Sequence, residues 1–308
     1  MVGVKNCKIM RFIEQNESPN YYDDLIIFAT DTLSCKNKFR HCIAIQHGIA
    51  FDGTSCYHVS EVTNIKSMLK SMVRAMLKYH RYKNISTLVC VDYNFLNWYR
   101  TQVAHIDAEC YVIPNFSHIP NGNTKNVKTD NRVSIIFARR LEDYRGTRIF
   151  TESIASILET NKLIKVTVAG TGPDENYIKE RLSQYENVSF ISYASEQSLK
   201  IHSEHDIAVV PSLYSEGTSL SLLEAMAAGC AVISTNVGGM TNIILDGFNG
   251  LMIRPVAHEL QKAIEKLLNE TELRVRLAEN ARKTVEVSFS FEKWKEAWKH
   301  VLDEEMKK

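Results

Sequence analysis

The sequence lacks the cysteine pattern of a disulfide-stapled or zinc-binding domain. No C-x-x-C pair and no short-domain spacing occurs among Cys7, Cys35, Cys42, Cys56, Cys90, Cys110 and Cys230. Scattered cysteines of this kind are typical of buried thiols in a reducing compartment. They predict neither a disulfide framework nor a metal cluster.

Long apolar runs and an excess of charge are also missing. No stretch of about 18 uncharged apolar residues occurs, and no long apolar run precedes a small-residue cleavage site at the amino terminus. The 37 basic residues nearly balance the 36 acidic residues. We therefore expect a cytoplasmic protein without a membrane-spanning helix, and the charge gives no reason to propose nucleic acid as a partner.

The sequence does contain short apolar runs that alternate with helical patterns. With 44% hydrophobic and 24% charged residues, its 308 positions are typical of a globular protein with two ordinary cores. The alternation is typical of parallel sheets covered by helices on both faces. The predicted strands are residues 25–29, 42–46, 87–91, 110–113, 133–138, 165–169, 188–191, 207–210, 231–234 and 251–253.

This alternation breaks at residues 114–131, which are rich in Asn, Pro, Gly and Thr. Such a composition is typical of a linker or a long surface loop. We predict an α/β protein with two doubly wound, Rossmann-like domains that face a ligand cleft. The first domain is predicted to cover residues 1–120, the linker 121–131 and the second domain 132–288.

The segment SEGTSLSLLEAMAAGCAVIST places Glu216 and Glu224 on either side of a predicted helix start. Thr218 or Ser219 can cap this helix, and Gly229 can end it. A strand, loop and helix in this order put Glu216 at the carboxyl end of a sheet, where open α/β sheets bind ligands, and Glu224 about two turns into the helix. The simpler alternative is that both glutamates are solvated helix charges.

This segment resembles the E-x7-E motif of the retaining nucleotide-sugar glycosyltransferases of family 4, within glycosyl transferases group 1, whose two-domain architecture is called GT-B. The flanking residues agree as well. The family's A-M-A-x-G strand entry follows the helix, and residues 238–253, GGMTNIILDGFNGLMI, resemble its next segment. A long motif in its expected context favours a functional interpretation over solvated charges.

Residues 133–146, VSIIFARRLEDYRG, resemble the family's strand and G-R-L-x-x-x-K-G turn, in which Arg and Lys bind the donor diphosphate. Arg140 takes the arginine position and Arg145 the lysine position, and the guanidinium fork also suits phosphate oxygens. Arg139 replaces a small family residue, and we expect it to point away from the site. Without the resemblance, three arginines near a turn are more often surface charge.

The other donor-side residues follow from the same resemblance. Gly170 and Gly172 belong to an A-G-T-G-P turn after a strand, although glycines there can serve backbone geometry alone. Phe190 and Ile191 lie in the strand VSFISY, whose backbone reads the nucleotide base in the family. Glu224 is implied to bind the ribose and Glu216 the donor sugar, while the helix start attracts anions. The donor site is completed by Gly217, Thr218, Ser219 and Leu220.

The resemblance is thinner in the first domain. The segment IAIQHGIAFD resembles a family strand and His-Gly turn that directs His47 to the donor sugar. A lone histidine there is as often only a hydrogen-bonded turn residue. Gly3 is the only glycine before Gly48, so the family's Gly-rich first loop is missing. We expect this domain to be shortened by about 30 residues or more.

Residues 289–308 resemble the family's last helix, which returns to pack on the first domain. Phe291, Trp294 and Trp298 recur at helical spacing. Aromatic residues in this pattern are predicted to be core contacts rather than ligand platforms.

Residues 61–83 form a predicted amphipathic helix with a basic face. Its apolar stripe is Ile65, Met68, Leu69, Met72, Val73, Met76 and Leu77, and its basic face is Lys66, Lys70, Arg74 and Lys78. The simpler interpretation is a sheet-covering helix with a solvated side. The basic face also suits an anionic membrane surface, which would place the protein peripherally at the inner face of the membrane.

The resemblance implies retaining transfer of a hexosyl group from a nucleoside diphosphate sugar to a saccharide or lipid-linked acceptor, in surface polysaccharide or glycolipid synthesis. The implied catalytic residues are Arg140, Arg145, Glu216 and His47. We expect no cofactor and no metal, because the second domain has no Asp-x-Asp pair near its glycine turns. Two alternatives stay open: an inactive donor-binding remnant or subunit of a split transferase, and a nucleotide-sugar epimerase or phosphorylase of the same fold.

Overall fold

The structure is a computed structural model that describes residues 6–48, 73, 82–102, 108–120, 132–214 and 216–308. The chain divides into two compact units. The first unit holds the described residues up to Pro114 together with Trp294–Lys308, and the second unit is Asn115–Lys293. Each unit contains one parallel sheet.

Helices and strands alternate along the described chain. In order they are α1 (Asn6–Asn16), β1 (Leu25–Phe28), β2 (His41–Gln46), β3 (Thr87–Cys90), α2 (Tyr93–Gln102), β4 (Glu109–Val112), β5 (Ser134–Ala138), α3 (Thr147–Thr160), β6 (Lys165–Ala169), α4 (Glu175–Leu182), β7 (Val188–Ile191), α5 (Ser198–Ser203), β8 (Ile207–Val210), α6 (Leu220–Ala227), β9 (Ala231–Thr235), β10 (Leu251–Ile253), α7 (Ala257–Asn269), α8 (Thr271–Ser288) and α9 (Phe291–Glu305). Short 3-10 helices lie at Asp31–Leu33, Tyr82–Asn84, Asp143–Arg145, Ser195–Gln197 and Gly238–Asn242.

The first unit is built on a four-stranded parallel sheet with the order β1-β2-β3-β4. Its central strands are mainly apolar and are buried along most of their length, so both faces need a cover. One face packs against α1 and α2, where Phe95 and Tyr99 are buried. On the other face, Trp298 and Val301 of α9 join one apolar cluster with Ile43.

A buried carboxylate ties α9 to this sheet. Glu305 accepts hydrogen bonds from the backbone N–H of Cys42 at 2.9 Å, from the Thr87 hydroxyl at 2.6 Å and from the Ser86 hydroxyl. Lys308 supplies the opposite charge, with its Nζ 2.8 Å from the carboxylate. The first unit therefore depends on polar contacts between residues far apart in the sequence.

The second unit is built on a six-stranded sheet with the order β10-β9-β8-β5-β6-β7, in which all neighbouring strands are parallel. Successive side chains of a strand point to opposite faces. On β5, Ile135 and Phe137 join the core formed with α3 and α7, whereas Ile136 and Ala138 join the core formed with α6 and α8. Two cores thus hold the sheet from both sides.

The strand order reverses in the middle of this sheet. β5 and β8 are neighbours, and the chain continues to β6 and β7 on one side and to β9 and β10 on the other. Because every strand is parallel, the loops that follow β5, β6, β8 and β9 emerge at the same edge. Open α/β sheets bind ligands at such a reversal of strand order.

The structure confirms the α/β class and the parallel sheets predicted from sequence. All ten predicted strands are present, and no strand end differs by more than one residue. Cys35, Cys42, Cys90, Cys110 and Cys230 are not in disulfides; Cys42, Cys90 and Cys230 are buried, and Cys35 and Cys110 are half-buried. None of the helices in the described ranges combines the length and the apolar character that crossing a membrane requires.

Two predictions fall outside the described residues. The linker at 121–131 lies there, as does the basic face formed by Lys66, Lys70, Arg74 and Lys78. Between positions 61 and 81 the structure describes Val73 alone, and its side chain is 54% exposed. This exposure disagrees with an inward-facing place for Val73 in the apolar stripe.

Candidate functional site

A cluster of charge surrounds the carboxylate of Glu216 at the carboxyl edge of the second sheet. Its Oε1 atom accepts hydrogen bonds from the Ser212 hydroxyl and from Nη2 of Arg139, each at 2.5 Å, and pairs with Nη1 of Arg145. Nη1 of Arg139 donates to the Ser212 hydroxyl at 2.5 Å. Glu216 is 7% exposed and Arg139 is 6% exposed, so this is a buried carboxylate between two guanidinium groups.

These surroundings keep Glu216 ionised. Burial by itself raises the pKa of this carboxyl, but Arg139, Arg145 and the Ser212 hydroxyl together outweigh burial and lower the pKa from 4.5 to about 2. Glu216 therefore carries its negative charge throughout the neutral and mildly acidic range.

Two loops at the sheet edge bring these groups together. Arg139 directly follows β5, and Ser212 and Glu216 belong to the loop after β8. Arg145 ends the 3-10 helix that leads into α3. Because β5 and β8 are neighbours in the sheet, residues distant in the sequence meet here.

A glycine fixes the position of Arg145. Gly146 has a φ of +84°, and a Cβ atom there would lie 1.9 Å from the carbonyl oxygen of Pro211. A residue with a side chain fits neither the left-handed conformation nor this close approach. The backbone next to Arg145 is therefore held against the loop that carries Glu216.

The expectation that Arg139 points away from the site is wrong. Its side chain is 3% exposed and lies in the cluster, because Glu216 and Ser212 provide the buried charge and acceptor that a guanidinium needs. The side chain of Arg140 is 68% exposed and pairs with Glu142 at 2.7 Å. The described contacts do not join Arg140 to Glu216, so its role at a diphosphate stays a prediction.

Two glycines after β9 support the loop that carries Glu216. The N–H of Gly239 donates to the carbonyl oxygen of Glu216 at 2.5 Å. A Cβ atom at Gly238 would lie 2.4 Å from that oxygen, and a Cβ atom at Gly239 would lie 2.6 Å from the carbonyl carbon of Gly217. The Gly-Gly pair thus shapes the site through backbone contact.

Gly239→Ala should lower the free energy of unfolding by roughly 1–3 kcal/mol, because the added methyl group must displace Gly217. Gly239 does not have a positive φ. If there were space for a methyl group at position 239, alanine would instead raise the free energy of unfolding by about 0.4–1 kcal/mol. Urea denaturation shows whether the free energy of unfolding falls or rises.

Gly247→Ala is the control. A Cβ atom at Gly247 meets nothing within 4 Å, and the φ there is +74°, so this variant measures the backbone penalty without a steric clash. A stabilised Gly239→Ala protein would contradict the close approach.

Glu224 lies in α6 and has a different partner. Its Oε2 accepts a hydrogen bond from the hydroxyl of Ser198 at 2.6 Å, at the first residue of α5. Burial raises the pKa of Glu224, and the Ser198 bond offsets this only in part. Within the described ranges, Glu216 and Glu224 share no hydrogen-bond partner, and their roles at the sugar and the ribose stay predictions.

The glycine turn after β6 packs on the loop after β5. Gly170 has a φ of +144°, donates its N–H to the carbonyl oxygen of Ile191 at 2.9 Å, and approaches Arg139 so closely that a Cβ would lie 2.0 Å from its carbonyl oxygen. A Cβ at Gly172 would lie 2.3 Å from the carbonyl oxygen of Leu141. Both glycines therefore have a structural role, and their contact with a donor stays a prediction.

Asn115, which the sequence analysis did not assign to the site, holds the loop before α6. The side-chain amide of Asn115 donates to the carbonyl oxygen of Thr218 at 2.8 Å. Ser219 occupies the N-cap position, but its hydroxyl makes no capping bond and lies 3.4 Å from the hydroxyl of Ser221. Leu220, the first helical residue, is 52% exposed. The predicted helix end is confirmed, since a glycine with a φ of +80° follows at position 229.

Two predicted site residues make contacts of their own. Phe190 packs against the core of the second sheet, with the Lys179 ammonium 6.0 Å from its ring centroid. His47 follows β2 in the first unit, and its Nε2 lies 2.7 Å from the carbonyl oxygen of Ala29. This contact is compatible with a turn residue, and the role of His47 at a donor sugar stays a prediction.

The charge at this edge suits an anion. Arg139, Arg145 and Glu216 together leave an excess of one positive charge, and the helix start next to them adds backbone N–H groups. Across the described ranges, no group of three or more His, Cys, Asp or Glu side chains could hold a metal ion. The two guanidinium groups and the backbone N–H groups can stabilise negative charge at this edge.

Sequence reasoning missed Arg139, Ser212, Ser198 and Asn115. The sequence contains a weak indication for Ser212, because it lies only four positions before Glu216. The signal for Arg139 was its departure from a small family residue. No sequence signal connects Asn115 to Thr218, because the hydrogen bond joins residues 103 positions apart.

The second unit resembles known sequences. Residues 120–284, more than half of the chain, match the family of glycosyl transferases group 1. Over 168 residues, the chain is 29% identical to an uncharacterized glycosyltransferase of Methanocaldococcus jannaschii. This match covers 53% of this chain and 43% of that protein. Over 166 residues, the chain is 30% identical to the capsular polysaccharide biosynthesis glycosyltransferase CapM of Staphylococcus aureus. This match covers 52% of this chain and 43% of CapM. The chain thus spans less than half the length of these relatives.

Solved structures share the fold. The pneumococcal O-GlcNAc transferase GtfA, in complex with UDP and GlcNAc, matches with a TM-score of 0.74 at 17% identity, over 98% of this chain and 60% of that chain. A likeness at this identity shows the fold alone, and it confirms the predicted GT-B architecture with two Rossmann-like domains. The sequence match over the second sheet and its ligand edge shows that this chain belongs to the glycosyl transferases group 1.

Proposed function

We propose that the protein transfers a hexosyl group from a nucleoside diphosphate sugar to an acceptor hydroxyl with retention at the anomeric carbon. The acceptor is a saccharide or lipid-linked saccharide, and the pathway is surface polysaccharide or glycolipid synthesis. The relative CapM is a capsular polysaccharide biosynthesis glycosyltransferase, which supports this assignment. The family 4 motif supports retention.

One observation carries the proposal: an ionised, buried Glu216 lies between two arginines at the ligand edge of a parallel sheet. A carboxylate held in one orientation can accept hydrogen bonds from sugar hydroxyls. Arg145, the more exposed of the two arginines, can offer its guanidinium to a diphosphate. A sugar site and a phosphate site thus lie side by side, as a sugar nucleotide requires.

In the proposed reaction, the bond between the anomeric carbon and the leaving diphosphate breaks while the acceptor oxygen attacks from the same face. Arg140, Arg145 and the N–H groups from Gly217 to Ser219 stabilise the charge that grows on the diphosphate. A diphosphate oxygen takes the proton of the acceptor hydroxyl. Glu216 orients the sugar, and no protein side chain acts as a nucleophile.

The remaining donor contacts are proposed from the family resemblance. Glu224 binds the ribose hydroxyls, for which its half-buried carboxylate is suited once Ser198 holds it in place. Gly170, Gly172, Phe190 and Ile191 form the nucleotide side, and Leu220 covers the donor next to α6. The family resemblance also predicts a contact between His47 and the donor sugar. No cofactor or metal takes part, and the basic face of residues 61–83 brings the enzyme to an anionic membrane surface.

The experiment is a donor panel of UDP-glucose, UDP-N-acetylglucosamine and GDP-mannose, run with excess chelator. We expect one donor to bind and to undergo slow hydrolysis or transfer. Glu224→Gln should weaken binding of the free nucleoside diphosphate by about tenfold or more, the effect of losing one charged hydrogen bond. Glu216→Gln should not weaken it but should impair the intact donor.

Each other outcome has a meaning. Binding without turnover would favour the alternative of a donor-binding subunit, and epimerised product would favour a nucleotide-sugar epimerase. Strict dependence on a divalent cation would contradict stabilisation by arginines alone. Absence of binding across the panel, or equal calorimetric affinities for the wild type and both variants, would contradict the proposed donor site.

A further inference from the structure

The Glu216 cluster contains two cations for one carboxylate, and both act on the same oxygen. The Ser212 hydroxyl, Arg139 and Arg145 all contact Oε1 of Glu216. A single guanidinium can neutralise one carboxylate. The second arginine therefore needs a separate explanation, above all because burying a guanidinium carries a large desolvation penalty.

The two arginines differ in their freedom to move. The side chain of Arg139 is 3% exposed and is also held by Ser212, so it cannot leave the cluster without losing every polar contact. The side chain of Arg145 is 25% exposed, and its guanidinium carbon lies 4.8 Å from the ring centroid of Tyr144 at the open side of the cluster. Arg145 is the member that can turn toward a ligand.

The proposed function requires Arg145 at the donor diphosphate. If Arg145 were the sole partner of Glu216, this move would leave a buried carboxylate without a counter-charge, and the carboxylate would take up a proton or move. Either change would spoil its hydrogen bonds to the sugar. A second, fixed cation removes this conflict.

We propose that Arg139 is the resident counter-ion of Glu216, which keeps this carboxylate ionised and in place while Arg145 leaves it for the donor diphosphate. This positioning role rests on the proposed function. It also gives a reason for a bulky, charged residue at a position where the resembled family motif has a small one.

The charge of Glu216 depends on few other groups. Arg139 comes from the loop after β5 and Arg145 from the 3-10 helix before α3. Tyr144 lies beside both arginines, and Tyr193 lies near Arg139. Both phenols are neutral in acid and at neutral pH, since the ordinary pKa of tyrosine is about 10. Removing one arginine or both therefore tests the counter-ion directly.

The first test needs no ligand. In the Arg145→Met protein, which mimics the departure of Arg145, the pKa of Glu216 should stay below its ordinary value of 4.5. In the Arg139→Met/Arg145→Met protein it should rise above 4.5, because burial, the largest influence on this pKa, is then opposed by the Ser212 hydroxyl without either arginine. Carbon NMR of proteins with labelled glutamate carboxyls measures this pKa, and the Glu216 signal is the one missing from the Glu216→Gln spectrum.

A matched control separates position from total charge. Arg145→Met/Arg148→Met also removes two arginines, but Arg148 contacts Asp143 and Asp174 instead of Glu216. Its Glu216 pKa should equal that of Arg145→Met. A pKa at or above 4.5 in Arg145→Met would overturn the proposal, since Arg139 alone would then not hold the charge.

The second test follows the donor. Calorimetry of UDP-glucose binding at pH 6, in two buffers with different ionisation enthalpies, counts the protons taken up. Arg139→Met should take up about one proton per ligand, whereas the wild type and Arg139→Lys should take up none. Arg139→Met should also raise KM for the intact donor about tenfold or more, with rescue by Arg139→Lys.

The two tests fail in different ways. A wild type that binds no sugar nucleotide contradicts the proposed function, while the NMR comparison still decides whether Arg139 holds the charge of Glu216. Arg139→Met that binds UDP-glucose with wild-type affinity and no proton uptake overturns the counter-ion role. If Arg139→Met does not fold, a Glu216 pKa below 4.5 in the Arg145→Met protein remains the deciding result.

Discussion

Replacing Glu216 with Ala is expected to lower the free energy of unfolding by roughly 3–5 kcal/mol, as breaking a buried ion pair from one side does. The side chain of Arg139, which is 3% exposed in the wild type, would then carry a buried charge without Glu216 to balance it. Arg145 could turn to solvent, so most of the loss should come from Arg139. Chemical denaturation of the wild type and the variant measures the difference.

Acid gives a second measurement of the same interaction. The pKa of Glu216 is lowered from 4.5 to about 2 in the folded protein. Its contribution to stability is therefore fully present above pH 4.5 and is lost as the pH falls toward 2. We expect about 3 kcal/mol of wild-type stability to disappear over this window through Glu216. The Glu216→Ala protein should lack this component.

The double variant Arg139→Met/Glu216→Leu identifies the cause. It removes both charges and fills the space with apolar side chains, an exchange that is often neutral or stabilising for buried ion pairs. It should recover most of the stability that Glu216→Ala loses. If the double variant is as unstable as the single one, the loss does not come from an orphaned Arg139.

Arg145→Ala is expected to reduce turnover of the donor by roughly 10²–10³-fold, the usual effect of removing one donor that stabilises transition-state charge. Its stability should change little, because Arg139 stays paired with Glu216. The turnover rate is measured with the donor in excess chelator, and the free energy of unfolding is measured by urea denaturation. A loss of stability as large as that of Glu216→Ala would assign Arg145 to the fold instead of the reaction.

Arg148→Ala is the control for charge near α3. Its side chain is 52% exposed, and it pairs with Asp143 at 3.5 Å and Asp174 at 3.4 Å without contact to Glu216. Turnover by Arg148→Ala should match that of the wild type. An Arg145→Ala enzyme with undiminished turnover would contradict the proposed diphosphate contact.

The strands could be predicted because both sheets are covered on both faces, so each strand is a short apolar run bounded by polar residues. The run Ile207–Val210, for example, is buried at every position. The place of Glu216 was also predictable, since the loop after this strand lies at the carboxyl edge whatever the details of packing. Periodicity and one motif thus locate the site.

The direction of Arg139 could not be predicted in this way. A charged residue after a strand normally faces solvent, and the carboxylate that reverses this preference lies 77 positions further along the chain. Arg140 shows the ordinary outcome with its exposed side chain. Which of two adjacent arginines enters the core depends on a tertiary partner that no local pattern reports.

The split of the first unit between Pro114 and Trp294 has a consequence for synthesis on the ribosome. The second unit is continuous in sequence and can fold as soon as it emerges. The first unit must wait for Glu305 to bond with Cys42 and Thr87, some 190 residues after β4. At about 5–20 residues per second, translation of that stretch takes on the order of ten seconds or more. During this interval the apolar face around Ile43 has no α9 to cover it. We therefore expect this face of the nascent chain to be accessible to chaperones and proteases.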